Sequence, residues 1–210
     1  MNMSTVTVPT SESASTSYWM DMLVKMGKPL MLAGPAGTGK TQLVNGLLQE
    51  VDPEVFNTHT IAMNFYSDGT ALQAILEIPL QKQTGTMYAP PMGKRLIYFV
   101  DDLNLPEVDP YNTQSGISLL RQYLDYGHWY DMTKLSLKTI NKCQYITCMN
   151  PKAGSNVIDP RLQRWMTCFA IGLPSVDSLT TIYETFMNGH FSEDHKVGYL
   201  RNSVGFKTLI

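Results

Sequence analysis

Apolar positions along this chain follow two different periods, and the two alternate. Pro29-Leu-Met-Leu-Ala33, Arg95 to Val100, Gln144 to Met149 and Cys168 to Leu173 are short, nearly continuous apolar runs, and Thr60 to Phe65 is a weaker one. Runs of that length and continuity predict buried strands. Between them apolar residues recur three and four apart, which predicts helices. The first is Tyr18, Trp19, Met22, Leu23 and Met26, ended by Gly27, and the second is Leu43, Val44, Leu47 and Leu48 over Lys40 to Glu50. Leu72, Ile75 and Leu76 follow Asp68, a natural N-cap. Ile117, Leu120 and Leu124 lie in phase over Ser115 to Asp125, and Leu179, Ile182, Tyr183 and Phe186 follow Ser175 as cap. From Ile78 to Lys94 the chain carries Pro79, Gly85, Pro90, Pro91 and Gly93, too much punctuation for a helix, so a surface excursion with a hairpin is expected. Strands that are apolar throughout need cover on both faces. The pattern therefore predicts an α/β fold built on a doubly wound parallel sheet.

Composition narrows the function classes. Sixteen Lys and Arg against eighteen Asp and Glu leave a net charge of −2, which argues against a nucleic-acid partner, since that would need clustered cations. No apolar stretch approaches the roughly 20 residues of a spanning helix, and no signal-peptide pattern opens the chain, so no membrane partner is expected. Residues 1–17 read as a disordered leader, with nine Ser or Thr between Ser4 and Ser17 and almost no apolar anchors. Cys143, Cys148 and Cys168 form no CxxC pair and read as buried free thiols; a separation of five sends Cys143 and Cys148 to opposite faces of one strand. Asp52, Asp125 and Asp131 read as solvated.

The chemistry begins at Gly34-Pro35-Ala36-Gly37-Thr38-Gly39-Lys40-Thr41, which fits GxxxxGK[ST] and lies between a strand and a helix. Glycines let backbone N–H groups wrap a phosphate, and the following helix N-terminus adds partial positive charge. Lys40 supplies a full charge for the β- and γ-phosphates of ATP or ADP, and the Thr41 hydroxyl is placed for Mg²⁺. The strand from Leu96 to Val100 ends in Asp101-Asp102. Asp101 is the expected metal partner and Asp102 the candidate base for an attacking water. Nucleotide hydrolases of this kind usually carry Glu at the second position, so the shorter Asp102 favours binding over fast turnover. Asn150 ends another strand and reaches the same edge, where its amide can contact a γ-phosphate or water. Arg161 and Arg164, in Asp159-Pro-Arg-Leu-Gln-Arg164, are candidates for an arginine finger reaching a neighbouring subunit.

These segments resemble the AAA+ ATPases, and one branch in particular. Leu96-Ile-Tyr-Phe-Val-Asp-Asp-Leu-Asn-Leu-Pro-Glu-Val-Asp109, Asp125-Tyr-Gly-His-Trp-Tyr-Asp131, Gln144-Tyr-Ile-Thr-Cys-Met-Asn-Pro151 and Asp159 to Arg164 are similar to the third AAA+ module of axonemal dynein heavy chains. The resemblance covers about residues 18–190, the large α/β subdomain; 191–210 depart from it as an atypical tail, and the helical lid is absent or incomplete, as in a fragment. It implies the strand order 5-1-4-3-2 and a sensor role for Asn150. It also implies neighbouring AAA+ modules in a ring as partners, with intermediate chains, light chains and microtubules reached only through a full-length motor of the ciliary or flagellar axoneme. Two functions stay open: a slowly hydrolysing Mg-ATP module, and a module that holds nucleotide as a structural or regulatory ligand. A stand-alone P-loop kinase is a weaker third, since no second substrate pocket is visible.

Overall fold

The computed structural model describes residues 7–152 and 157–190, so the tail read at 191–210 lies outside the described residues. The described residues divide into two compact units, one within 19–172 and one formed by 7–18 with 173–190. In chain order the elements are α1 (Ser11–Lys25), β1 (Leu30–Ala33), α2 (Lys40–Glu50), β2 (Phe56–Ala62), α3 (Gly69–Glu77), β3 (Gln81–Lys82), β4 (Met87–Ala89), β5 (Arg95–Asp101), α4 (Ser115–Tyr126), β6 (His128–Tyr130), β7 (Leu137–Ile140), β8 (Cys143–Met149), α5 (Pro160–Gln163), β9 (Thr167–Ala170) and α6 (Val176–His190).

Five strands form an all-parallel sheet in the order β2-β5-β8-β1-β9. Numbered among themselves and read from the β9 edge, they run 5-1-4-3-2, the predicted order. Alternate residues of β5 serve different cores, as the two-residue strand period requires. Leu96, Tyr98 and Val100 face Leu72 and Leu76 of α3, Ile117 and Leu120 of α4, and Trp129. Ile97 and Phe99 face the opposite side, with Ile146, Cys148, Leu43, Val44 and Leu47 of α2, and Met20 and Val24 of α1. Burial of each such side chain contributes about 2 kcal/mol, which is why the apolar runs of β1, β5 and β8 sit in the middle. Cys143 packs against the first core and Cys148 lies in the second, on opposite faces as expected.

Several expectations need correction. The first helix starts at Ser11, seven residues before Tyr18, so residues 11–17 of the supposed leader are helical. The polar residues there serve as caps. The Ser13 N–H donates to Thr10 Oγ1 (3.2 Å) and the Thr10 N–H to Ser13 Oγ (2.7 Å), a reciprocal capping pair. The inward face of α1 carries Met20 and Val24, while Tyr18, Trp19, Met22 and Met26 are exposed. At the sheet edges β2 begins at Phe56 rather than Thr60, because its register follows β5 from Phe56↔Arg95 to Ala62↔Asp101. An edge strand is only half buried, so its apolar signal is weak. On the opposite edge strand Cys168 is exposed, against the expectation of a buried thiol.

A second sheet, β3-β4-β7-β6, contains the expected hairpin as β3 and β4. The β6–β7 hairpin was not foreseen. Asp131 at its turn is ion-paired rather than simply solvated: its carboxylate lies 2.8 Å from Lys138 Nζ, which also sits 2.9 Å from Glu77 Oε2 at the end of α3. Trp129 Nε1 and Gln73 Nε2 donate to Glu77 Oε1. In the other unit, Ser175 caps α6 by accepting from the Ser178 N–H, and Ser178 Oγ donates to Glu12 Oε2. No described helix is long and apolar enough to cross a membrane.

Candidate nucleotide site

The loop after β1 is shaped by its glycines. Gly37 and Gly39 both have φ of +78°, a left-handed backbone that only glycine adopts at little cost. Gly34 has a different reason to be glycine: a Cβ there would stand 2.1 Å from the Ile171 carbonyl oxygen. The crowding is built by the sheet, since the Gly34 N–H donates to Met149 O and the Ile171 N–H to Ala33 O. Thr38 is nearly buried, and its hydroxyl donates to Pro35 O (3.0 Å), closing the loop on itself. Ala36 lies at the exposed outer side. The Lys40 ammonium donates to Gly34 O (2.9 Å), Pro35 O (2.7 Å) and Thr38 Oγ1 (3.3 Å), so its charge is held over the loop. Helix α2 starts at Lys40 with Gly39 at its cap and directs its unpaired first-turn N–H groups to the same place.

The acid pair arrives from β5. Thr41 Oγ1 donates to Asp101 Oδ2 at 2.9 Å, and Asp101 Oδ1 accepts the Asp102 N–H at 3.1 Å. A hydroxyl and a carboxylate side by side are hard oxygen donors, the set that Mg²⁺ prefers. Asp102 itself has φ of +54°, uncommon for a residue other than glycine. Its carboxyl is raised from the usual range, first by desolvation and then by the negative charge of Asp101, with Lys40 opposing.

Asn150 follows β8, whose last residue Met149 pairs with Ala33 at the end of β1. The phosphate loop, Asp101, Asp102 and Asn150 thus stand at the carboxyl ends of three adjacent strands, where parallel α/β sheets bind ligands. The Asn150 side chain accepts the Lys152 N–H (3.1 Å). The two arginines part company on α5 and its end. Arg164 Nη2 lies 2.5 Å from Asp125 Oδ1, which also accepts from Trp165 Nε1, so Asp125 is paired rather than simply solvated. These two donors hold the Asp125 carboxyl below its usual range. Arg161 is exposed, and its guanidinium has no hydrogen bond or ion pair among the described residues.

One residue near this edge escaped the sequence reading. Asn104, buried in the loop after Asp102, donates through Nδ2 to the Asn150 carbonyl (2.8 Å). In sequence it is one more Asn in a polar loop; only the fold turns it inward. A separate groove of about 950 Å³, bordered by Gln73, Ser118, Arg121 and His128, shares no lining residue with the phosphate loop.

A parallel sheet of this order, with a glycine-rich phosphate loop after its first strand and paired acids after its third, defines a P-loop module of the AAA+ type. The family model described as "P-loop containing dynein motor region" matches residues 1–174, and the chain belongs to that family. It is 46% identical over 197 residues to the human dynein axonemal heavy chain 9, covering 94% of this chain and 4% of that protein. It is 50% identical over 192 residues to the dynein alpha chain of the flagellar outer arm of Chlamydomonas reinhardtii, covering 91% and 4%. Identity to the ciliary dynein beta chain of Tripneustes gratilla is 45% over 190 residues, covering 90% and 4%. The chain therefore spans about one twenty-fifth of the length of these relatives.

Proposed function

We propose that this chain holds Mg-ATP or Mg-ADP in the loop from Gly34 to Thr41 and turns ATP over slowly. The supporting observation is the convergence of the Lys40 ammonium, the Thr41–Asp101 pair and the α2 N-terminus on one short stretch of the sheet edge. In this reading the backbone amides and Lys40 bind the phosphates, and Thr41 and Asp101 hold the cation. When bound there, Mg²⁺ would supply charge neutralisation for the phosphates. Asp102 accepts a proton from the attacking water, a task its raised proton affinity suits. Asn150 contacts the γ-phosphate or that water. Arg161, whose guanidinium makes no hydrogen bond or ion pair among the described residues, is presented to the phosphate of a neighbouring module, while Arg164 stays on Asp125.

The wider setting comes from the relatives, which are named as axonemal, flagellar and ciliary dynein chains. The module works as the third of a dynein ring in the axoneme of cilia or flagella. Its neighbours there are other AAA+ modules, and microtubules and intermediate and light chains are reached only through the full-length motor. A second reading, nucleotide held as a switch without turnover, is favoured by the short Asp102 side chain and its left-handed backbone.

Single-turnover phosphate release on the full chain with Mg-ATP decides between them. Slow turnover reduced about a hundredfold by Asp102→Asn supports the enzyme. Bound ATP that is never cleaved, by either protein, supports the switch.

A further inference from the structure

We infer that Asn104 is a positioning residue for the nucleotide site, acting through Asn150; the inference rests on the sensor role proposed above for Asn150. The loop leaving β5 is sewn to the end of β8 at two points. The Leu103 N–H donates to Cys148 O (3.0 Å), and the Asn104 amide donates to Asn150 O (2.8 Å). Asp102 makes this crossing possible. Its left-handed turn swings the chain out of β5 so that Leu103, fully buried, enters the core, and the Leu105 N–H closes the turn on Asp102 O (3.0 Å).

A buried carboxamide is costly unless it is hydrogen-bonded. Asn104 is 3% exposed, and its donor goes to the main chain of the one residue that follows β8 into the site. An apolar side chain would fill the same space, but it would take from the Asn150 carbonyl the donor that ties it to the loop after β5. The Asn104 bond therefore fixes the distance between the Asp102 side of the site and the Asn150 side. Asn104 has no place in phosphate binding itself, which belongs to the loop after β1. Its loss should weaken response to the γ-phosphate and leave grip on a diphosphate intact.

The experiment measures, on the full chain, the affinities for Mg-ADP and for the Mg complex of a β,γ-imido ATP analogue, in wild type, Asn104→Ala, Asn104→Leu and Asn150→Ala. The expected result is that both Asn104 variants keep the ADP affinity of wild type and lose the preference for the triphosphate by about tenfold, the worth of one well-placed hydrogen bond. The double variant Asn104→Ala/Asn150→Ala should lose no more than Asn150→Ala alone, because one residue acts through the other. An unchanged preference in Asn104→Ala and Asn104→Leu, or additive losses in the double variant, overturns the positioning role and leaves nucleotide binding standing. Failure of wild type to bind either nucleotide overturns the functional reading and this inference with it. Should both Asn104 variants fail to fold, amide exchange in wild type decides: slow exchange of the Asn104 side-chain NH₂ supports the bond, and exchange at the solvent rate refutes it.

Discussion

The Thr41 hydroxyl lies 2.9 Å from the Asp101 carboxylate, although sixty residues separate them in sequence. The contact joins the first turn of α2 to the last residue of β5, two elements brought together because β5 and β1 flank β8 in the sheet. Thr41 is exposed, so folding alone does not require its hydroxyl.

Thr41→Val keeps the shape and removes the oxygen. Its fold and thermal midpoint should match wild type, while magnesium should no longer strengthen nucleotide binding. The affinity for Mg-ATP falls by about tenfold or more, to the level seen with a chelator present. Titrations with and without magnesium read this directly, and a magnesium effect of wild-type size in the variant contradicts the metal role of Thr41.

Gly34 makes a prediction about the fold. A methyl group there meets the Ile171 carbonyl, a backbone atom that cannot rotate away. Gly34→Ala should destabilise the chain by about 2 kcal/mol, in the range of other overpacked sites, as measured by urea denaturation. Gly37→Ala meets no atoms within reach, but its φ of +78° strains any L residue, so it too should destabilise, by about 1 kcal/mol.

The Lys138 cluster predicts an acid transition. Asp131 is pushed down to about 2, first by the hydrogen bond from Lys138. Glu77 is desolvated, which alone would raise it, yet the bonds from Gln73, Lys138 and Trp129 hold it below its usual value. Lowered carboxylates stabilise the fold above their unfolded values near 4 and lose that contribution as pH falls through the folded ones. The thermal midpoint should therefore drop between about pH 4 and pH 2. Lys138, raised by its two acids against its own desolvation, adds stability at neutral pH that is lost only above its ordinary value near 10.4. Lys138→Met should lower the midpoint at pH 7 and flatten the acid drop; an unchanged acid profile contradicts the assignment.

Arg161 and Arg164 should separate by readout. Arg164→Ala frees Asp125, whose carboxyl then titrates closer to its usual value, a change visible in its carboxyl carbon shift by NMR. Arg161→Ala should change neither that titration nor the thermal midpoint, because its side chain is exposed and makes no hydrogen bond or ion pair among the described residues. A shift of the Asp125 titration in Arg161→Ala, or none in Arg164→Ala, contradicts the separation.

What could be read from the sequence follows from burial. The strands β1, β5 and β8 are covered on both faces, so they appear as apolar runs, and Gly34 to Thr41 announces itself by spacing. The edge strands β2 and β9 are half-wetted, and their limits come from pairing rather than from their own residues. The start of α1 was hidden because Thr10 and Ser13 cap a helix with the residue types that also fill unstructured tails. Hairpin β6–β7 sends Trp129 and Ile140 into the core, but its strands are only three and four residues long, and Lys138 pairs with Asp131 and Glu77, a cluster that no local pattern reveals. Asn104 was hidden for a related reason, since its partner is a carbonyl forty-six residues away.

The nucleotide reading meets its most direct test in calorimetric titration of the folded full chain with Mg-ADP and Mg-ATP, beside Lys40→Ala. The loop geometry predicts saturable binding by the wild-type chain and none by Lys40→Ala at the same concentrations, with both proteins melting cooperatively. A folded wild-type chain that takes up no nucleotide at millimolar concentration, or a Lys40→Ala chain that binds as tightly as wild type, contradicts it.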